Sequence, residues 1–357
     1  MSKWQWAWEG VLGVVTVLAL ATVLFTAPDG HFLNIVASSA PTGMVAVALS
    51  LSLRTGTPNL AVGSVSALSG ALIATFVTVT GMPLIVGLLL VVLLAGIAGL
   101  VMGAFTVLLS APSWAVTLAS AVVCDGLLFA VSQGRTVILP DPPSLPPVVG
   151  FVLFAVVSVA GGVVWKWRDL RRSLSNEWVG PLAGLAGSCV LAALGGFMLL
   201  LRLGAAQPAS QGLFTAVFAL AAVVLGGTSI GMGPGTGPNG ERGSSAVTRV
   251  PGEHGATAAA DLPGAIGRGG LGVIAYGDRG AVGGTVFAVL LLAVIQGQLV
   301  LLGVPAYLLM VVLGGVVICG LTVSRALDAL RPDAPPSDSP PPGAPRPGAS
   351  SPDVPRP

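Results

Sequence analysis

Long apolar runs dominate the chain, and short polar or Gly/Pro-marked breaks separate them. A helix needs about 20 apolar residues to cross the hydrocarbon core of a bilayer. The runs predict ten such helices, near residues 9–27, 35–53, 60–80, 84–109, 114–132, 148–167, 179–201, 213–230, 281–304 and 305–323. Thr55-Gly56-Thr57-Pro58-Asn59 interrupts the second pair. Only Gly303-Val304-Pro305 divides the last two, so one long bent hairpin is an open reading there. The expected fold class is an all-α polytopic membrane protein with about ten transmembrane helices.

Two stretches break the pattern. Residues 231–280 are polar and Gly-rich, carry both signs of charge and show no helical period. Residues 331–357 hold eleven prolines among Ser, Asp, Gly and Ala. A tail of that composition buries too little apolar surface to offset the entropy of ordering. The expected organisation is a cytoplasmic N-terminus over 1–8 and a transmembrane domain over 9–330. Within that domain lie a short cytoplasmic loop, 166–178, and a cytoplasmic insertion, 231–280. A disordered Pro-rich tail over 331–357 follows.

Of the 357 residues, 54% are hydrophobic and 8% charged, against about 25% charged in a soluble domain. Mean hydropathy is +0.92. The net charge of +2 gives no footing for a nucleic-acid partner. Lys3 and Lys166 are the two lysines, and no Gly-Lys pair exists to complete a phosphate loop. His31 and His254 fall far apart in polar connections. Cys124, Cys189 and Cys319 stand singly in apolar runs, without metal-ligand or disulfide spacing. They read as small packing residues.

Charge sets the expected orientation. With the N-terminus inside, 14 of the 16 lysines and arginines fall in cytoplasmic segments and only Arg135 and Arg202 fall outside. The short loops and N-terminus, which count most under the positive-inside rule, give six against two. N-in and C-in is the expectation. Lys3 before the first run resembles a secretory leader, but an A-x-A site is missing and further spans follow. The first span is expected to be an uncleaved anchor, with Trp4, Trp6 and Trp8 as an interfacial belt.

Four blocks then point to a family. The first runs Asn59-Leu60-Ala61-Val62-Gly63-Ser64-Val65-Ser66-Ala67-Leu68-Ser69-Gly70-Ala71. The second is Ala111-Pro112-Ser113-Trp114-Ala115-Val116-Thr117-Leu118-Ala119-Ser120, with Gly126-Leu127 and Gly134-Arg135 after it. The third joins Ala205-Ala206-Gln207-Pro208 to Ala221-Ala222-Val223-Val224-Leu225-Gly226-Gly227-Thr228-Ser229. The fourth runs from Gly280-Ala281-Val282-Gly283-Gly284-Thr285 through Leu302-Gly303-Val304-Pro305-Ala306-Tyr307. In order and content they resemble the permease subunits of bacterial ATP-binding-cassette (ABC) importers, in the branch shared by ribose-type monosaccharide and branched-chain amino acid systems. The second block is more similar to the sugar side.

The resemblance implies a permease without catalytic residues, energised by a separate ATPase chain that binds ATP-Mg. No cofactor is expected in this chain itself. It also implies a second permease copy, identical or not, and an extracytoplasmic solute-binding protein. Glycines such as Gly63, Gly70, Gly96, Gly99 and Gly103 suit close helix packing, with lining a path as the other reading.

Three features depart from the family's pattern. The loop that resembles its ATPase-coupling segment, around Arg168, Asp169, Arg171 and Arg172, lacks most of the following helix; an inside loop that only fixes topology is the alternative. Residues 231–279 separate Gly226-Gly227-Thr228-Ser229 from Gly280-Ala281-Val282-Gly283, which the family joins almost directly. Doubling a loop costs only about 0.6 kcal/mol, so the fold can survive this. Asp125 stands where sugar permeases often place an arginine. A central membrane charge costs on the order of 3 kcal/mol by insertion scales and usually faces an interior or aqueous path. Arg135 and Arg202 are its available cationic partners; a neutral Asp125 bonded to a neighbouring helix is the other reading.

The candidate solute path comprises Asn59, Ser64, Asp125, Gln207, Thr228, Ser229 and Gln296, all of which could instead bridge helices. Gln296 and Gln298, two apart, do not share a helix face. The expected function is a monosaccharide or small-polar-solute permease of an ABC importer. A branched-chain amino acid permease is one alternative. A stand-alone transporter coupled through Asp125, or a decayed subunit, is another. Abundant Ala, Gly, Val and Arg with little Lys suggest a GC-rich bacterium and its cell membrane.

Overall fold

The computed structural model describes residues 3–143, 146–165, 174, 178–207, 211–227 and 282–329. These residues form ten α-helices of five residues or more and one small ribbon. The helices are α1 (Lys3–Thr26), α2 (His31–Arg54), α3 (Val62–Thr80), α4 (Leu84–Leu108), α5 (Ser113–Ser132), α6 (Pro147–Trp165), α7 (Val179–Leu203), α8 (Gln211–Leu225), α9 (Val282–Leu301) and α10 (Ala306–Ala329). Each of the ten apolar runs read from the sequence overlaps one of them. Seven, α1 to α5, α7 and α9, are long and apolar enough to cross a membrane. The apolar stretches of α6, α8 and α10 are shorter.

Burial sorts the helices into layers. α2, α3 and α7 form the centre, with Met44, Ala46, Ala48, Val62, Leu185, Cys189, Ala192 and Ala193 fully enclosed. α4 lays one stripe on α7 and turns the rest outward. A Cβ on Gly103 would meet the backbone of Leu182 at 2.8 Å, so only glycine permits that approach. Its other faces expose Leu89, Leu93, Leu100 and Leu108, and α1, α5, α6 and α10 expose similar aliphatic side chains. In water this would be an aggregation surface. In a bilayer it is the lipid-facing coat.

Three boundaries differ from the sequence expectation. α2 starts at His31 rather than near residue 35, because Gly30 takes a left-handed conformation (φ 82°) that turns the chain straight into a helix. His31 therefore belongs to α2, not to a connection, and its Nε2 is buried without a partner. At the other end of the chain, Gly303 (φ 67°) and the bond from Val304 N–H to the Leu299 carbonyl (2.9 Å) close a turn. α9 and α10 are thus separate helices rather than one bent rod. Finally, β1 (Val137–Ile138) pairs antiparallel with β2 (Ala205–Ala206), Val137 opposite Ala206. The sequence gives no strand signal there, since two residues show no alternation.

The expected loop 166–178 lies outside the described residues apart from Leu174 and Trp178, and so do all of 231–280 and 331–357.

Candidate functional site: a braced break and a membrane carboxylate

Between α2 and α3 the chain runs as an irregular segment, Thr55–Ala61, that is nevertheless buried: Thr57, Pro58 and Asn59 are all enclosed. Backbone without helical bonds is tolerated at membrane depth only where protein satisfies its polar groups. Three helices and the segment's own Asn59 do so here. Ser52 Oγ in α2 accepts the Asn59 backbone N–H at 3.1 Å. Thr117 Oγ1 in α5 accepts the Leu60 N–H at 3.1 Å. The Asn59 side chain accepts the Ala61 N–H at 3.0 Å and donates through Nδ2 to Ser188 Oγ in α7 at 2.7 Å. Ser188 in turn donates to the Leu185 carbonyl at 2.9 Å. Asn59 is 0% exposed and both ends of its amide are used, so in this conformation it braces the start of α3.

Five residues on, Ser64 meets a second irregular feature. α8 has 15 residues, or about 22 Å at 1.5 Å per residue, short of a hydrocarbon core of about 30 Å. Its first turn passes so close to α3 that a Cβ on Gly63 would strike the Gly212 carbonyl. A Cβ on Gly212 would lie 2.8 Å from Ser64 Oγ and 3.1 Å from Asp125 Oδ1. Ser64, Asp125 and the N-terminal turn of α8 therefore meet. Asp125 stands seven residues before the end of α5, about 10 Å along its axis. The meeting point is thus inside the bundle's length, not at its rim.

Neither sequence-predicted cation reaches this carboxylate. Arg202 Nη2 donates instead to Asn34 Oδ1 at 2.9 Å, tying the end of α7 to the start of α2. Arg135 sits in the turn after α5, its N–H bonded to the Ser132 carbonyl at 2.9 Å. Among the described residues no ion pair involves Asp125. Its side of α5 is open in the single chain, with Val122 and Phe129 exposed one turn away on either side.

The remaining candidates are dispersed. Gln207 is exposed just after β2, and Gln296 is half-buried in α9 beside Gln298, whose Nε2 is buried without a partner. Thr228, Ser229, Arg168, Asp169, Arg171 and Arg172 lie outside the described residues. Sequence reasoning missed Ser52, Thr117 and Ser188, the three hydroxyls that hold the break. Only Thr117 carried any signal, as part of the second family block.

Stacked apolar helices with polar, irregular backbone held inside them define a multi-pass membrane protein. Residues 31–172 match the family described as the branched-chain amino acid transport system / permease component. The chain is 27% identical to the ribose import permease protein of Haemophilus influenzae, over 62% of this chain and 77% of that protein. It is 28% identical to the L-arabinose ABC transporter permease protein of Azospirillum brasilense, over 65% and 76% of the two chains. It is 27% identical to the xylose transport system permease protein of Escherichia coli, over 44% of each. The chain is thus similar to permease components of sugar transport systems, and its apolar helices are those of a multi-pass membrane protein. No solved structure matches the chain.

Proposed function

We propose that this chain is the membrane permease subunit of an ABC importer that moves a monosaccharide or similar small polar solute. The observation that carries the reading is the coincidence of the family match with the braced core. Residues 31–172 span α2 to α6 and include the whole buried break with Asn59 and Thr117. Sugar permeases are among the relatives across the same bundle.

In this reading the chain alternates between inward and outward openings, and ATP-Mg is hydrolysed on a separate ATPase subunit. The path requires weak, distributed hydrogen-bond partners, because the solute must leave as readily as it enters. Ser64, Asp125, Gln207 and Gln296 are the proposed path-facing groups among the described residues, and Thr228 and Ser229 are the candidates that lie outside them. Asn59 sets the position of α3 behind them. Arg168, Asp169, Arg171 and Arg172 form the ATPase contact, on the cytoplasmic side given by the positive-inside rule. An extracytoplasmic binding protein delivers the solute, and a second permease copy completes the path.

The test is co-purification of the tagged chain with the ATPase encoded nearest its gene, with and without alanine at Arg168, Arg171 and Arg172. A stoichiometric complex that the substitutions abolish is expected. A complex indifferent to them moves the contact elsewhere. No complex with any candidate ATPase sinks the energised importer and leaves the stand-alone reading, which the unpaired Asp125 favours. Uptake of ribose against leucine by the intact system separates the sugar from the amino acid alternative.

A further inference from the structure

We infer that Asp125 is a positioning residue for α8: its carboxylate, carried by α5, stands against the positive N-terminal end of α8 and seats that helix's first turn. The inference concerns how α8 is held and goes beyond the permease reading, whatever the chain moves.

The first four N–H groups of a helix have no acceptor within it, and they place about half a positive charge at that end. α8 begins inside the length of the bundle, where unsatisfied backbone is costly unless protein or cavity water meets it. Its first turn, Gln211–Phe214, contains no acid of its own. Ser210, the residue before it, lies outside the described residues. Two polar oxygens from neighbouring helices face this turn. A Cβ on Gly212 would lie 3.1 Å from Asp125 Oδ1 in α5 and 2.8 Å from Ser64 Oγ in α3. The carboxylate of one helix therefore reaches the N-terminal turn of another.

Glycine makes that approach possible. A Cβ on Gly63 would strike the Gly212 carbonyl and come within 2.8 Å of the Ala216 nitrogen, so α3 and the start of α8 are in backbone contact. A side chain at position 212 would crowd the carboxylate and the Ser64 hydroxyl in the same way.

The arrangement also answers the cost of the charge. A carboxylate in a membrane-spanning helix needs a compensating partner. Arg202 is turned to Asn34 at 2.9 Å, and no basic side chain among the described residues pairs with Asp125. The end of α8 is the positive group that the fold brings to it. Helix end and carboxylate stabilise each other.

The experiment follows amide hydrogen exchange of the full-length chain in lipid nanodiscs, by mass spectrometry, over peptides from α8. Peptides from α4 and α7 serve as the internal reference. Asp125→Asn keeps the shape of the side chain and removes its charge. Exchange over the first two turns of α8 should then be about two- to fivefold faster, the size of an acid's effect at a helix N-terminus. The α4 and α7 peptides should not change. Gln211→Glu puts an acid into the first turn of α8 itself, and in the Asp125→Asn chain it should bring exchange back towards the original rate. In the unaltered chain the same substitution should speed exchange, because two like charges then share one turn. A role played through shape alone would be blind to both changes.

Exchange in α8 that Asp125→Asn leaves unchanged overturns the inference. So does a rise that spreads equally over α4 and α7, or one that Gln211→Glu fails to reverse. If Asp125→Asn gives no folded protein, Gln211→Glu in the unaltered chain decides. Faster exchange there supports the seat, and slower or unchanged exchange overturns it. None of these results bears on whether an ATPase complex forms, so this inference and the importer reading stand or fall separately.

Discussion

Gly226, just past the end of α8, lies backbone against backbone with Gly284 in the first turn of α9: a Cβ on Gly226 would fall 2.7 Å from the Thr285 nitrogen, and one on Gly284 would strike the Gly226 carbonyl. The chain therefore leaves one helix and re-enters the next at a single point, although residues 228–281 intervene. The two halves of the interrupted glycine motif have remained in contact. The Gly226–Gly284 junction is closed by these two helix ends themselves.

That closure makes deletion a direct test. Removing residues 232–279 shortens the loop roughly ninefold and lowers its closure cost by only about 2 kcal/mol. The deleted chain should purify as a monodisperse protein with a melting temperature within a few degrees of the intact one. Gly284→Val in the full-length chain should do more damage, by about 1–3 kcal/mol, because overpacking forces α8 and α9 apart. Thermal melts in detergent, followed by size exclusion, compare the two. If the deletion unfolds the protein while Gly284→Val is neutral, the junction does not hold α8 to α9.

Much of the bundle is legible in the sequence because lipid imposes length. Runs of about twenty apolar residues have few alternatives, and each of the ten yields a helix. The interruption at 55–59 is legible too, since Gly56 and Pro58 break helical periodicity. Contacts made by single hydrogen bonds are not. Arg135 and Arg202 were equally available to Asp125 on sequence, and only the fold shows Arg202 turned to Asn34. Trp8 read as an interfacial residue, yet its indole N–H donates to the Leu225 carbonyl at 2.9 Å. Ser188 offered no signal at all, because a serine inside an apolar run looks the same whether it bonds its own helix or a neighbour.

The Trp8 bond ties the first turns of α1 to the end of α8, beside the junction. Trp8→Phe keeps an aromatic ring, though a smaller one, and removes the donor, and it should lower stability by at least about 0.5–1.5 kcal/mol. An equal change at a lipid-facing residue, such as Leu18→Ala at 61% exposure, should be close to neutral. Melting curves of the two variants decide whether the indole is a helix brace or only an interfacial anchor. Equal shifts would favour the anchor.

α4 allows the same contrast between protein-facing and lipid-facing positions three residues apart. Gly103 abuts Leu182 and the Pro181 carbonyl, whereas Leu100 is 46% exposed. Gly103→Leu should displace α4 from α7 and cost at least about 1–3 kcal/mol. Leu100→Ala should cost little in lipid, because the lost side chain contacts acyl chains in the folded state and in the separated helix alike. The measurement is the melting temperature in nanodiscs. A larger loss at Leu100 would mean that this face of α4 packs on protein.

At the braced break, Asn59 and Thr117 hold one segment from two sides. Asn59→Ala removes the acceptor for the Ala61 N–H and the donor to Ser188, and leaves that N–H buried without a partner. A loss of about 1–3 kcal/mol is expected. Thr117→Val removes the acceptor for the Leu60 N–H one residue away and should cost a similar amount. The two act on one segment from two sides, so the double variant should lose less than the sum, by about 0.5–3 kcal/mol. Once Asn59 lets the segment go, Thr117 has little left to hold. Strict additivity in a double-mutant cycle of melting curves would show that Asn59 and Thr117 stabilise separate parts of the fold.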